Sequence, residues 1–139
     1  MKDAKLVAYN FSKDGATYTF EGVSLHEINS AIDSRLATEG YKLESGVSGN
    51  GVYGVGSTIM RVLFGAFVKR YTFNINTNAA SEARVNLTVS KAMSGISGGV
   101  IGYAKMNKEH QRISELLRQM APSVNNEELI YKSLIAEER

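Results

Sequence analysis

Cysteine is absent from all 139 residues. That excludes disulfides, thiolate catalysis and every cysteine-based zinc site, and it fits a reducing compartment. Histidine is nearly as scarce, with only His26 and His110. Neither a His-x-x-x-His pair nor a paired-carboxylate spacing is present, so the sequence implies no metal and no cofactor. Long apolar runs are missing too. The longest, Ile59 to Val68, is interrupted by Arg61, whereas a membrane-spanning helix needs about 20 such residues. The start, Met1-Lys2-Asp3-Ala4-Lys5, continues amphipathic and does not read as a signal peptide. The chain therefore reads as soluble and cytoplasmic, with no membrane span.

Acidic residues are almost missing from the middle of the chain. Residues 1–44 carry five basic and seven acidic groups, residues 45–108 seven basic and one acidic (Glu82), and residues 109–139 four basic and six acidic. A segment of +6 thus lies between two of −2 although the whole chain is only +2. A local positive field attracts anions even when the total is small. The same charges also keep a sheet surface soluble and blunt its edges.

What is present describes a globular domain. Hydrophobic residues make up 43% and charged residues 22%, near the globular average. A chain of this length buries roughly 68% of its unfolded surface, enough for a core without staples. With no linker between two halves, residues 1–139 read as one domain, and residues 122–139 as its C-terminal helical extension.

Residues 5–11 and 16–22 alternate as strands, and Ser12-Lys13-Asp14-Gly15 between them predicts a hairpin turn with positive φ at Asp-Gly. Alternation alone puts Leu6 with Ala8 on one face and Val7, Tyr9 and Phe11 on the other. Ser24-Leu25-His26-Glu27 is a capping box. Leu25, Ile28, Ile32 and Leu36 follow at helical spacing, and Gly40 ends a helix expected over 25–39. Extended structure resumes at Tyr41–Ser45, Ser48-Gly49-Asn50-Gly51 signals a second hairpin, and Gly51–Gly56 returns. Residues 57–67 fit a helical stripe or a buried strand with a bulge; the extended reading is preferred because a strand continues from them. In the third hairpin, Tyr71, Phe73 and Ile75 are expected opposite Val89, Leu87 and Val85, with one dry face and one polar face. Ser94–Gly102 reads as a flexible glycine-rich turn. A helix is expected over about 107–121 from Ile113, Leu116, Leu117 and Met120, and after Pro122 another begins at Asn126-Glu127-Glu128. The fold class is α+β: a twisted antiparallel sheet of about five to six strands with amphipathic helices packed on one face.

Motifs add little chemistry. Gly49-Asn50-Gly51-Val52-Tyr53-Gly54 spells G-x-G-x-x-G, but residues 45–81 hold no acidic residue to bind a ribose. Gly95, Gly98, Gly99 and Gly102 could form a phosphate nest, or simply reverse the chain, since Gly102-Tyr103-Ala104-Lys105 lacks the P-loop core. His26 and His110 both read as surface residues. There is no G-x-S-x-G elbow, and no catalytic residue is assigned. Arg61, Lys69, Arg70, Arg84 and Lys91, in or beside strands, are the candidate anion-binding set. With the Thr, Asn and Ser of the polar face they could meet phosphates and sugars. That face lacks the aromatics on which single strands stack, and a pI near 8.8 falls short of the usual basic footprint.

From residue 24 to 121 the order is helix, antiparallel meander, glycine-rich turn, amphipathic helix. In Val52-Tyr53-Gly54-Val55-Gly56, the Arg70–Ile75 strand and the Ser94–Gly102 turn before Lys105–Met120, the chain resembles small uncharacterised bacterial domains. Its layout is similar to a TATA-binding-protein-like half or a short helix-grip fold. The resemblance implies a fold and no activity. Function is therefore expected to be a non-enzymatic binding or interaction module, with another protein or self-association as partner. An anionic or apolar small ligand is a further possibility. Nucleic acid bound through the basic residues is one alternative, and an enzyme assembled from scattered residues is another.

Overall fold

A computed structural model describes residues 3–55, 71–92 and 99–123. Six strands form one open antiparallel sheet: β1 (Lys5–Phe11), β2 (Gly15–Glu21), β3 (Lys42–Val47), β4 (Asn50–Val55), β5 (Tyr71–Ser81) and β6 (Arg84–Lys91). Their spatial order is β1-β2-β6-β5-β4-β3. Helix α1 (Leu25–Thr38) joins β2, near one edge, to β3 at the other, and α2 (Gly99–Arg118) follows β6. The class is α+β as the alternation and the helical stripes require. The residues at 56–70, with the Ile59–Val68 stretch, and those at 124–139, with the expected terminal helix, lie outside the described residues.

Helix α1 forms for reasons local to its sequence. The Ser24 hydroxyl accepts from the Glu27 amide at 3.2 Å, and the Glu27 carboxylate accepts from the Ser24 amide at 3.1 Å. At the other end Gly40, at φ +83°, lets its own N–H reach Ala37 O and the Tyr41 N–H reach Leu36 O, each at 3.0 Å. This is a Schellman closure. Ile28, Ile32 and Leu36 are buried.

Both helices cover the same face of the sheet. Tyr18 of β2 donates to Ser114 O of α2 at 2.7 Å, and Thr77 of β5 donates to Asn29 of α1 at 2.7 Å. Phe20, Phe73, Ile75, Val85, Leu87 and Val89 are buried beneath them, with Tyr71 packed at the margin.

The third hairpin pairs differently from expectation. Ile75 lies opposite Val89 and Thr77 opposite Leu87, so β6 is displaced by four residues and β5 runs on to Ser81. An even displacement keeps every side chain on its face, so the apolar pattern fixes parity but not register. β1 departs too. Val7 is an extra residue between Leu6 and Ala8, and this bulge brings Leu6, Tyr9 and Phe11 to the same buried face. The first turn uses no positive φ at Gly15. That glycine serves close approach instead, because a Cβ there would stand 2.4 Å from Val89 O.

Candidate functional site

With α1 and α2 on one side, no other element among the described residues covers the middle of the opposite face of the sheet. Register builds it row by row. Asn10 opposes Thr17, Thr17 opposes Thr88, and Thr88 opposes Asn76. All four side chains are exposed. They form a straight polar ladder across β1, β2, β6 and β5, about 14 Å long at the usual strand spacing. The adjoining row is knitted internally: Thr19 donates to Asn86 at 3.0 Å, and Asn86 to Asn78 at 3.4 Å. On the other side, Gly15, Ser90, Asn74, Val52 and Ser45 continue the face toward β3. Among the described residues, charged side chains stand only at its borders, as with Glu21 and Arg84. Toward the far end Thr72 and Gly54 are buried, which closes the open area there.

Two shallow hollows lie toward opposite ends of the β2 and β6 strands, the first of them on the ladder itself. One, of about 250 Å³, lies at the β1–β2 turn and is lined by Asn10, Asp14, Gly15, Thr17, Thr88 and Ser90 among others. The other, of about 500 Å³, is lined by Glu21, Gly22, Ala80, Ser81, Ala83 and Arg84.

The sheet edges are less inviting than this face. On β1 the Leu6 N–H donates to Pro122 O at 2.9 Å, and Leu6 bridges Ser123, so the C-terminal segment covers part of that edge. On β3 all six residues are exposed, including Leu43 at 40% and Val47 at 66%. Its backbone is nonetheless poorly shaped for adding a strand. Glu44 is an extra residue between Leu43 and Ser45, and Gly46 has φ +88°. Bulges and charges such as Lys42 and Glu44 are common devices against edge pairing.

A polar cluster bolts the β3–β4 hairpin to α1. Asn29 and Asp33, four residues apart, share one helix face. Asp33 accepts from the Ser48 hydroxyl at 2.5 Å and from the Tyr53 hydroxyl. Tyr53 in turn accepts the Gly49 N–H at 2.8 Å. Asn50 accepts from the Thr77 N–H and donates to the Thr77 hydroxyl, both at 3.2 Å. Burial first, then the Asp33 carboxylate, pushes the Tyr53 hydroxyl up to about 12. Replacing Tyr53 by Phe strands the Gly49 N–H and removes one donor to Asp33. We expect a loss of about 1–3 kcal/mol in urea unfolding, with faster amide exchange at Gly49.

A second cluster joins the helices. The Tyr41 hydroxyl donates to Glu109 at 2.5 Å, Arg112 forks onto Glu109 with two bonds of 2.8 Å, and Arg112 also meets Glu39 at 2.8 Å. Burial and the Glu109 carboxylate hold Tyr41 far above its ordinary value. Arg112 is about half exposed, so its pairs add little to stability. Their arrangement is that of a brace.

The anion-binding set does not converge where it is described. Arg84 and Lys91 sit at opposite ends of β6, about 23 Å apart at the usual rise. Arg84 pairs with Glu21 at the border of the open face, while Lys91 reaches Asn107 of α2 at 2.8 Å on the helix side. Arg61, Lys69 and Arg70 lie outside the described residues. So do Gly95 and Gly98 of the nest candidate; Gly99 and Gly102 belong to the first turn of α2. Among the described residues no group of three or more His, Asp or Glu is placed to hold a metal. Nor is any helix among them long and apolar enough to cross a membrane.

His110 corrects a surface reading. It is 1% exposed, stacked on Phe11 at 4.7 Å between ring centres and near Phe73 at 6.3 Å. Helical phase was the missed signal. Counting back from Ile113, Ser114 and Leu117 places His110 and Met106 on the same buried stripe. Asn29 and Asp33 could likewise have been found as a polar i, i+4 pair beside the apolar stripe of α1.

No protein-family model matches the chain, and no curated protein matches it.

Proposed function

We propose that this chain is a non-enzymatic binding module that offers the open face of its sheet to another protein. The observation that supports this most is the ladder Asn10–Thr17–Thr88–Asn76: four exposed, uncharged donors and acceptors held in line by strand register. Such groups on strands lose little freedom when a partner hydrogen-bonds to them, because the sheet has already fixed their spacing. The absence of charge from the centre of the ladder suits a neutral, polar protein surface better than a phosphate backbone. The blunted β3 and partly covered β1 argue for face recognition rather than strand addition.

The chain's lack of cysteine makes the test clean. Single cysteines replace Thr88 on the ladder and Ser30 on the exposed side of α1, and each carries a photo-crosslinker. The proteins are irradiated alone and in an extract of the source cells. We expect a discrete protein adduct from position 88 that position 30 does not give. A second change, Thr17→Arg, should weaken it about tenfold, the effect of removing a central contact worth about 1.4 kcal/mol. A dimer-sized adduct from purified protein would identify the partner as a second copy. Equal adducts from both positions, or none from position 88, would end the proposal.

A further inference from the structure

The Ser48-Gly49-Asn50-Gly51 turn that signals the second hairpin also contains the chain's only Asn-Gly pair. Such a pair carries chemistry of its own. The backbone nitrogen of the glycine can attack the side-chain carbonyl carbon of the asparagine, because no glycine side chain crowds the approach. Here a bond forms from the Gly51 nitrogen to the Asn50 Cγ, and the Cγ–Nδ2 bond breaks. The Gly51 amide proton leaves with that nitrogen as ammonia, and a cyclic imide remains. Water then opens the ring on either side. Opening at Cγ gives aspartate in a normal chain. Opening at the backbone carbonyl gives isoaspartate, whose main chain runs through the former side chain and is one carbon longer. Water is the only co-reactant, and nothing is oxidised or reduced.

The fold restrains both reacting groups. The Asn50 amide is pinned at each end: its oxygen accepts from the Thr77 N–H and its nitrogen donates to the Thr77 hydroxyl, both at 3.2 Å. Gly51 lies inside the sheet, paired with Gly46 of β3 on one side and with Ile75 of β5 on the other. The β3 side has no slack, since a Cβ at position 51 would stand 2.0 Å from Ser45 O. Attack needs the amide to turn off Thr77 and the Gly51 nitrogen to leave its place between two strands. Both require the β3–β4 hairpin to open locally.

We propose that Asn50-Gly51 is a site of spontaneous deamidation that the docked hairpin keeps shut, and that the isoaspartate formed there leaves the hairpin detached for good. The two products differ. Aspartate keeps the length of the chain and costs the joint the Nδ2 donor to Thr77. Isoaspartate loses the same donor and also displaces the rest of β4 by one backbone atom. The pairs from Gly51 to Val55 then lose register against β3 and β5 together. Its carboxylate enters a cluster that already holds the Asp33 carboxylate, which binds Ser48 and Tyr53 of the same hairpin. Ser45 and Val52 stand on the open face, so their release would remove that end of it. That consequence rests on the proposed binding face; the modification does not.

The test follows the full chain by peptide mass mapping in mildly alkaline buffer, both native and unfolded in guanidinium. Unfolded, Asn50 should convert far faster than Asn78, which Ala79 follows. Native, its conversion should be at least about a hundredfold slower than unfolded, an opening free energy of about 2.8 kcal/mol at about 1.4 kcal/mol per tenfold. Thr77→Val removes the acceptor of the Asn50 amide and should speed native conversion about tenfold, the effect of one lost hydrogen bond. Gly46→Ala leaves Thr77 alone and crowds the hairpin from β3, so it should speed conversion too. The purified isoaspartate form should lose amide protection at 42–47 and 51–55 while α1 and β6 keep theirs. The proposal is overturned if native and unfolded chains convert alike at Asn50, if T77V changes nothing, or if the isoaspartate form stays protected. Because the wild-type comparison stands alone, a variant that fails to fold leaves the proposal decidable. None of these readouts involves a partner, so they hold or fail independently of the binding face.

Discussion

Replacing Phe73 by alanine is expected to cost about 3–5 kcal/mol of folding stability, a large share of the 5–15 kcal/mol a domain of this size possesses. The side chain, third along β5, is 1% exposed. Its ring lies 5.8 Å from that of Tyr41 and 6.3 Å from the His110 imidazole. Truncation removes the transfer energy of the phenyl group and leaves a cavity between α2 and the sheet. The walls of that cavity cannot close freely, because Tyr41 is tied to Glu109 and His110 to Ser12. Urea unfolding of F73A should therefore show a large fall in midpoint at unchanged slope. Asn76→Ala, on the same strand but exposed on the ladder, should stay within about 0.5 kcal/mol of wild type. A comparable loss in both variants would mean that the sheet has no single dry face. A second readout sharpens the test. Water admitted beside His110 should move its titration upward, toward the ordinary histidine value, since burial is what depresses it.

The contrast between α1 and β6 indicates which physical signals a sequence carries. The cap at Ser24 and Glu27 is a contact between residues three apart, so its chemistry can be read directly and both bonds form. Strand pairing joins residues far apart, and alternation constrains only its parity. Thr77 is the residue that decides the third hairpin. Placed inside, a threonine needs partners, and it finds them in Asn29 and Asn50, which belong to other elements. No local pattern announces those partners. The turn gave no help either, since the chain reverses at Glu82-Ala83 without glycine, proline or asparagine. In the same way, Gly99 and Gly102, each costing about 1 kcal/mol against alanine in a helix, point to a loop. The helix nonetheless starts there, ahead of a long packed stripe.

The open face was only partly legible. A polar face rich in Thr, Asn and Ser follows from alternation. That Asn10, Thr17, Thr88 and Asn76 stand in one row follows only from the observed register. Under the expected pairing Thr88 would have faced Thr72, which is buried. The basic residues show the reverse limitation. Arg84 and Lys91 share a strand and a charge, yet an odd spacing of seven sends them to opposite faces. Charge counted along a chain says little about a field until parity is applied.

Gly46→Ala is expected to cost about 2–5 kcal/mol, and the way it fails should be informative. Two penalties combine: about 1–2 kcal/mol for an L-residue in the left-handed region and about 1–3 kcal/mol for overpacking. The conformation is φ +88°, and the new Cβ would lie 2.4 Å from Asn50 O and 2.6 Å from the Gly51 Cα. Both atoms are β4 backbone, so no rotamer relieves the clash. Gly40→Ala is the control. There φ is +83°, but the nearest atom is the Val55 Cγ2 at 3.5 Å, so only the backbone penalty applies. β3 has an escape from the strain. Every one of its residues is exposed, and detaching it gives up little burial. The global loss should therefore stop at the cost of pulling β3 from β4 and from the Ser48–Asp33–Tyr53 bolt. Hydrogen exchange at Lys42–Val47 should then rise far more than in α1 or β6. Detachment also bares the edge of β4, with Val52 and Val55 beside unpaired backbone groups, so G46A should self-associate as its concentration rises. If G46A matched G40A in stability and kept β3 amides protected, the hairpin geometry on which the blunted edge depends would be wrong.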